Sequence, residues 1–319
     1  MKLIPALAAG FAGVAMLSGI VIACRYVPAP EHAHAALLWL TTDVPAGQFI
    51  YSLHVWSTSL LIGALHLLVF GDLLARRYQP PRRCAWLTGL ACYACAMGLG
   101  FTGSLLPWTQ HAYWDAIVRI GLMDATPLVG PQLATLVRGG EHIGLLTLVM
   151  YNAVHSHVLG PLLAVCLGRR LWTDSTLADP PTGRLPHFAA MFAIGATCML
   201  AVAIPGVLGA VADPASTGYE ARPEWWFLPL FQLRKLVSGP EEIPVMMLIL
   251  GLASTFLIAA PWLDPDATDK RRGLIMRIIA VVGITIWLTL LLTGAMDRPR
   301  HLAPIEKPEP GKVEAITPA

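Results

Sequence analysis

Tyr51–Asp72 reads YSLHVWSTSLLIGALHLLVFGD. It is a run of about twenty mostly apolar residues, which at 1.5 Å per residue matches the thickness of a bilayer core. Two histidines interrupt it, His54 and His66. An imidazole inside a bilayer-spanning helix is costly without a partner, so each is a candidate functional group. They sit twelve residues apart. At about 100° per residue that is a rotation of about 120°, so an undistorted helix cannot aim both at one seam.

Working outward, hydrophobic residues make up 55% of the chain and charged residues 13%. This is too apolar for a soluble domain and points to an all-α, polytopic membrane bundle. The net charge of +2 gives no sign of a nucleic-acid partner. Seven candidate spans fall at 3–24, 50–74, 84–105, 143–168, 187–211, 243–262 and 273–294. Proline, glycine and charge clusters bound them, as at 76–83 and 264–272. Those two clusters share one side with Lys2, Arg169, Arg170 and Arg184 if the spans alternate, and the positive-inside rule makes that side cytoplasmic. The expectation is a multi-pass protein of a bacterial inner (cytoplasmic) membrane, N-terminus cytoplasmic and C-terminus periplasmic. Residues 296–319, rich in Pro, Glu and Lys, read as an extramembrane tail.

The start resembles a lipoprotein signal, with Lys2, an apolar run and Cys24, but is read as a retained helix. Six cysteines lie within or at the ends of spans, which argues against an extracellular disulfide framework. Cys92 and Cys95 have CxxC spacing with no following His, so c-type haem attachment is excluded and packing is the better reading. Gly89 and Gly103 are fourteen residues apart, hence on one helix face and about 21 Å apart. Such glycines allow a helix or a flat group to approach the backbone.

From Gly103 onward the chain resembles the cytochrome b family of quinol:cytochrome c and quinol:plastocyanin oxidoreductases. The residues that carry this are Gly103, Leu106-Pro107-Trp108, Gln110, Trp114, Thr126-Pro127-Leu128-Val129-Gly130 and Gly139-Gly140. Pro223-Glu224-Trp225-Trp226 resembles the family's Pro-Glu-Trp-Tyr segment, with Trp226 in place of Tyr. The resemblance covers roughly residues 10–295. It implies a haem-binding four-helix part at 1–172, a cytoplasmic linker at 173–186 and a three-helix part with the quinone-pocket segment at 187–295. The family's eighth helix has no counterpart here.

Relatives hold two b haems with histidine pairs usually fourteen apart on the second and fourth helices. By resemblance, the outer pair here is His54 with His155, backed by Gly19 and Gly103. His157 is the rival of His155; the two are about 200° apart, so only one can face a haem. The inner pair is missing. Fourteen residues after His54 stands Leu68, and fourteen or fifteen after His155 stand Arg169 and Arg170. Pro5 stands where an inner-haem glycine is usual. The expectation is one b haem, at the outer side. Tyr51 replaces a propionate-pairing Arg, so the haem potential is expected to differ. For His66 a hydrogen-bonded core role is preferred, with His187 the one distant histidine at similar depth.

Quinol or quinone is the implied substrate. Resemblance gives Glu224 the role of proton acceptor, flanked by Pro223, Trp225 and Trp226; pairing with Arg222 or Lys235 is the bland alternative. His111 replaces an apolar pocket residue and is a second candidate for proton transfer. The run 111–123 is expected to lie along the outer membrane surface. The implied partners are iron–sulfur and/or c-type cytochrome subunits, the quinone pool and the lipid bilayer. Two alternatives stand beside this reading: a two-haem cytochrome b using an unusual ligand such as His66, and a non-redox anchor that keeps the fold.

Overall fold

Pro45-Ala46-Gly47 turns the chain into the helix that carries His54. Ala46 is left-handed (φ 60°), and a Cβ on Gly47 would stand 1.8 Å from the Leu40 carbonyl oxygen. Only glycine permits so close a return of the chain. The computed structural model describes residues 3–177, 184–216, 219–237, 239 and 241–297. Regular structure among them is helical: α1 (Leu3–Ala23), α2 (Ala33–Thr42), α3 (Gly47–Leu74), α4 (Arg83–Gly103), α5 (Gln110–Asp124) and α6 (Gly130–Arg138) come first. Then follow α7 (Leu145–Ala153), a π-helical segment (Val154–Leu159), α8 (Gly160–Thr176), α9 (Leu185–Ala203), α10 (Leu228–Arg234), α11 (Glu242–Leu263) and α12 (Lys270–Met296).

Among the described residues, seven helices are long and apolar enough to cross a membrane: α1, α3, α4, the continuous Leu145–Thr176 helix, α9, α11 and α12. The short ones sit between spans. Thr109 caps α5 by accepting the Ala112 N–H, and Gly139 (φ 76°) ends α6. We call the end carrying α2, α5, α6 and α10 the near end, and the opposite end the far end.

The core lies where α1, α3, α4, α8 and α9 meet, around Phe11, Leu61, Leu65, Cys92, Leu163 and Ala193. A Cβ on Gly10 would stand 2.7 Å from the Ala190 carbonyl oxygen, so α1 and α9 approach as only small residues allow. By contrast α11 and α12 show apolar side chains outward, including Leu248, Leu252, Ile275 and Leu292. All six cysteines are free thiols.

Two expected boundaries differ. The span expected over 187–211 ends at Ala203, and the apolar residues that follow run across the near end in irregular form. Gly206 there is held by Ser52 Oγ, which accepts its N–H at 2.9 Å, and by Gln48, which donates to its carbonyl at 2.7 Å. Thr109 and Val211 form an isolated bridge. The expected linker, 173–186, begins inside α8, and its residues 178–183 lie outside the described residues, as do 298–319 of the tail.

Candidate functional site

His54, on α3, and His155, in the π-helical segment, face each other with ring centroids 6.4 Å apart. Each ring is held by Nδ1. His54 Nδ1 donates to the Ala15 carbonyl at 2.9 Å. Thr102 Oγ1 donates its only proton to the Gly98 carbonyl at 2.9 Å, so towards His155 Nδ1, 3.1 Å away, it acts as an acceptor. Both rings therefore carry the proton on Nδ1 and a lone pair on Nε2. Neither Nε2 has a hydrogen-bond partner among the described residues. Gly19 and Gly103 back the two rings. A Cβ on Gly19 would stand 3.0 Å from His54 Cε1, and one on Gly103 2.6 Å from His155 Cε1.

This pair fits a bis-imidazole metal group. Two metal–nitrogen bonds of about 2 Å, plus about 1 Å from each nitrogen to its ring centre, separate the centroids by about 6 Å. His157 is exposed on the other side of the segment. Both histidines lie in the π-helical segment, where i→i+5 bonding fits one extra residue into a turn.

The same extra residue decides the far half. Fifteen residues beyond His155 now span the turns that fourteen span in an α-helix, so Arg170 points into the helix seam. A Cβ on Gly89 would stand 2.7 Å from Arg170 Nη1 and 3.8 Å from Leu68 Cδ2. Arg170 donates to Asp72 Oδ2 (2.6 Å), Asp174 Oδ2 (2.9 Å) and the Ala85 carbonyl (2.9 Å), and all three charged side chains are buried. In the sequence Arg170 stood out as a cytoplasmic-side cation at the place of a missing histidine; its partners Asp72 and Asp174 went unnoticed, though Asp72 is an acidic residue inside an apolar run.

His66 uses both nitrogens elsewhere. Nδ1 meets the Ile62 carbonyl at 2.9 Å and Nε2 the Tyr93 hydroxyl at 3.0 Å, with the Trp287 ring 4.7 Å away.

At the near end, His111 Nε2 and Glu224 Oε1 are 3.7 Å apart. The Glu224 interaction draws the His111 pKa upward, against burial. Arg222 and Lys235, the alternative partners of Glu224, are engaged with the Gly294 carbonyl and Asp297. Pro223 is half-buried beside them. Trp225 donates to Ser59 Oγ at 2.9 Å and its ring edge faces Gly63. Trp226 lies against Gly100, and its buried indole N–H has no partner. The sequence reading missed Asp115 and Arg119, four and eight residues after His111 and both buried on α5. Their i, i+4 spacing from His111 was the available signal.

Opposed imidazoles with free lone pairs, on facing helices of an apolar bundle, define the class: a membrane protein built to hold a metal group between its helices. Residues 5–170 match the family model described as Cytochrome b/b6/petB, and residues 211–305 match Cytochrome b(C-terminal)/b6/petD. The chain belongs to the cytochrome b family. Membership implies haem binding and, with the seven apolar helices, a multi-pass membrane protein.

Among its relatives, the chain is 27% identical over 297 residues to a cytochrome bc complex cytochrome b subunit of Chlorobaculum thiosulfatiphilum, covering 86% of this chain and 69% of that one. It is 28% identical over 305 residues to a cytochrome b of Rhodobacter capsulatus, covering 81% and 68%. With a cytochrome b6 of Tupiella akineta it shares 37% identity over 152 residues, 48% of this chain and 70% of that one. A chain of a hyperthermophilic respiratory complex III has the same fold, with a TM-score of 0.77 at 20% identity over 94% of this chain and 85% of that one.

Proposed function

We propose that this chain is the cytochrome b subunit of a bc-type electron-transfer complex, holding one b haem between His54 and His155 and oxidising quinol beside it. The near end is the outer, periplasmic side on this reading. The four spans up to residue 172 carry the haem, and the part at 187–295 supplies the quinone segment. The bound haem supplies a one-electron carrier. His54 and His155 hold it, and Ala15 and Thr102 fix their tautomers. Glu224 accepts a quinol proton, with His111 beside it. The unpartnered Trp226 N–H is a donor suited to a quinone carbonyl, as is the buried, unpartnered Tyr151 hydroxyl.

One observation carries the one-haem reading: the Arg170 guanidinium, tied to Asp72 and Asp174, occupies the notch at Gly89 where a second haem would lie. A gap of about 21 Å along the helices is long for direct electron transfer. Electrons therefore leave on the side where they enter, to partner iron–sulfur or c-type cytochrome subunits. The test is haem per polypeptide by pyridine haemochrome on wild type, His54→Ala and His66→Ala. One b haem, lost only with His54, is expected. Two haems, one depending on His66, would overturn the reading, and no haem would leave a non-redox anchor.

A further inference from the structure

Three polar side chains share one face of α5 beside the quinone segment: His111, Asp115 and Arg119. Asp115 is 2% exposed and Arg119 9%. Arg119 Nε donates to Asp115 Oδ2 at 2.9 Å. Its other nitrogens reach the Phe101 carbonyl (3.0 Å) and Ser104 Oγ (2.7 Å) at the end of α4. The guanidinium lies over the rings of Phe101 and Phe227, 4.6 and 5.8 Å from their centroids. It is thus clamped between α4 and the residue that follows Glu224-Trp225-Trp226. Burying such a pair costs desolvation that its own attraction scarcely offsets, and apolar residues would pack the place as well. Stability therefore does not explain the pair. Its place beside His111 and Glu224 does.

We propose that His111 is the proton exit of the quinol site, and that the Asp115–Arg119 pair holds and tunes it as positioning residues. The proposal rests on the quinol-oxidising reading. Oxidation of a quinol to a quinone releases two electrons and two protons. As an electron leaves for its one-electron acceptor, one O–H proton passes to the Glu224 carboxylate. It moves on to His111 Nε2, and the imidazolium releases a proton from Nδ1 to the outer water; the second proton follows the same path as the second electron leaves for another one-electron acceptor. His111 is suited to this because its side chain is 40% exposed while Nε2 points at Glu224. The charged and titratable groups around it are Glu224 on the quinone segment, Asp115 and Arg119 on α5, and Tyr151 on α7, whose hydroxyl lies near the Arg119–Asp115 pair.

The signs follow. Only neutral His111 can accept a proton, so turnover rises with pH through its pKa. Glu224 and Asp115 draw that pKa upward and Arg119 draws it downward. Asp115→Asn therefore moves the acid limb of the pH profile to lower pH, by about one unit. Asp115→Asn/Arg119→Gln removes both charges and brings the limb back towards wild type. His111→Gln flattens the limb and lowers turnover about a hundredfold.

The experiment follows duroquinol oxidation by the purified complex from pH 5 to pH 9 (about the range where His titrates). In parallel, the rate of carbethoxylation of His111 by diethyl pyrocarbonate, read by peptide mass spectrometry, reports its titration without turnover. Asp115→Asn should shift both midpoints together. A His111→Gln profile identical to wild type would overturn the exit. An unmoved carbethoxylation midpoint in Asp115→Asn would overturn the tuning role. Should Asp115→Asn fail to fold, His111→Gln, which buries no orphan charge, still decides the exit. A wild-type complex with a full haem complement that does not oxidise duroquinol would overturn the quinol reading itself.

Discussion

The site depends on single hydrogen-bond acceptors that fix which nitrogen of each histidine is free. Thr102 is the sharpest case, because its hydroxyl proton is committed to Gly98 and its lone pair serves His155 Nδ1. An N–H that donates to such an acceptor makes the opposite nitrogen a stronger electron donor, which favours oxidised iron. Thr102→Val keeps the volume and removes the acceptor. The haem should still bind, with its potential raised by up to about 40 mV, the equivalent of one hydrogen bond of about 1 kcal/mol. A redox titration of the α-band checks this, and an unchanged potential would mean that the hydroxyl does not serve the ring. Residue types told part of this story in advance. His54 stood out because a histidine in a span is costly without a reason, and Gly19 entered only through the family resemblance. Thr102 and Ala15 did not, since a hydroxyl or a backbone carbonyl on a neighbouring helix carries no local signal.

The helices themselves were readable because each span is an apolar run between proline, glycine and charge clusters, and five of the seven expected spans match observed helices to within three residues at each end. The fourth proved longer, since α8 runs on to Thr176. Two features escaped. The chain leaves α9 at Ala203 although the apolar run continues: Pro205 drives Ile204 out of the helical region (φ −136°, ψ 78°), and Gln48 and Ser52, far away in sequence, then satisfy Gly206. The π-helical turn was hidden too, and with it the register that brings Arg170 into the seam. This turn makes a contrast of two deletions informative. Val158 and Val165 are both exposed valines, one in the π-helical segment and one in α8. Removing Val158 takes out the extra residue and lets the turn become α-helical, with His155 and Arg170 still on the seam side. Removing Val165 rotates Arg170 by about 100° from its partners. The Val158 deletion should keep haem and thermal stability near wild type. The Val165 deletion should destabilise the protein by about 3 kcal/mol or more, because Asp72 loses its buried partner. Thermal unfolding in detergent with haem absorbance as a second probe separates the two, and equal losses would dismiss the register argument.

Across the whole molecule, buried charge ties the far half together at two places. Asp264, at the end of α11, binds Arg76 (2.5 Å) and Tyr78 (2.7 Å) from the loop between α3 and α4. Burial alone would raise its pKa, but these partners outweigh burial and hold it below the usual carboxylate value. A depressed carboxyl stabilises above its unfolded pKa of about 4 and loses that contribution as pH falls through the lower folded value. Asp264→Asn should therefore flatten the acid side of the stability profile. The Arg170 cluster is the deeper tie, since it binds α3, α4 and α8 in the space next to Gly89. Breaking it from one side and dissolving it entirely have different consequences. Arg170→Leu leaves Asp72 and Asp174 only their looser contacts with Arg77 (3.4 Å) and Arg82 (3.6 Å), and should cost about 3 kcal/mol. Asp72→Asn/Arg170→Leu/Asp174→Asn removes the three buried charges, leaves the partly exposed Arg77 and Arg82 to solvent, and should recover most of that loss, since a buried ion pair is often replaceable by neutral groups of similar volume. Neither variant supplies a second pair of imidazole ligands, so the haem count stays at its wild-type value in every variant that folds. Thermal unfolding of the two proteins, with haemochrome assay of each, decides it. If the triple variant were no more stable than Arg170→Leu, the cluster would be more than a neutral filling of the far half, and its individual hydrogen bonds to Ala85 and Asp72 would have to carry the bundle.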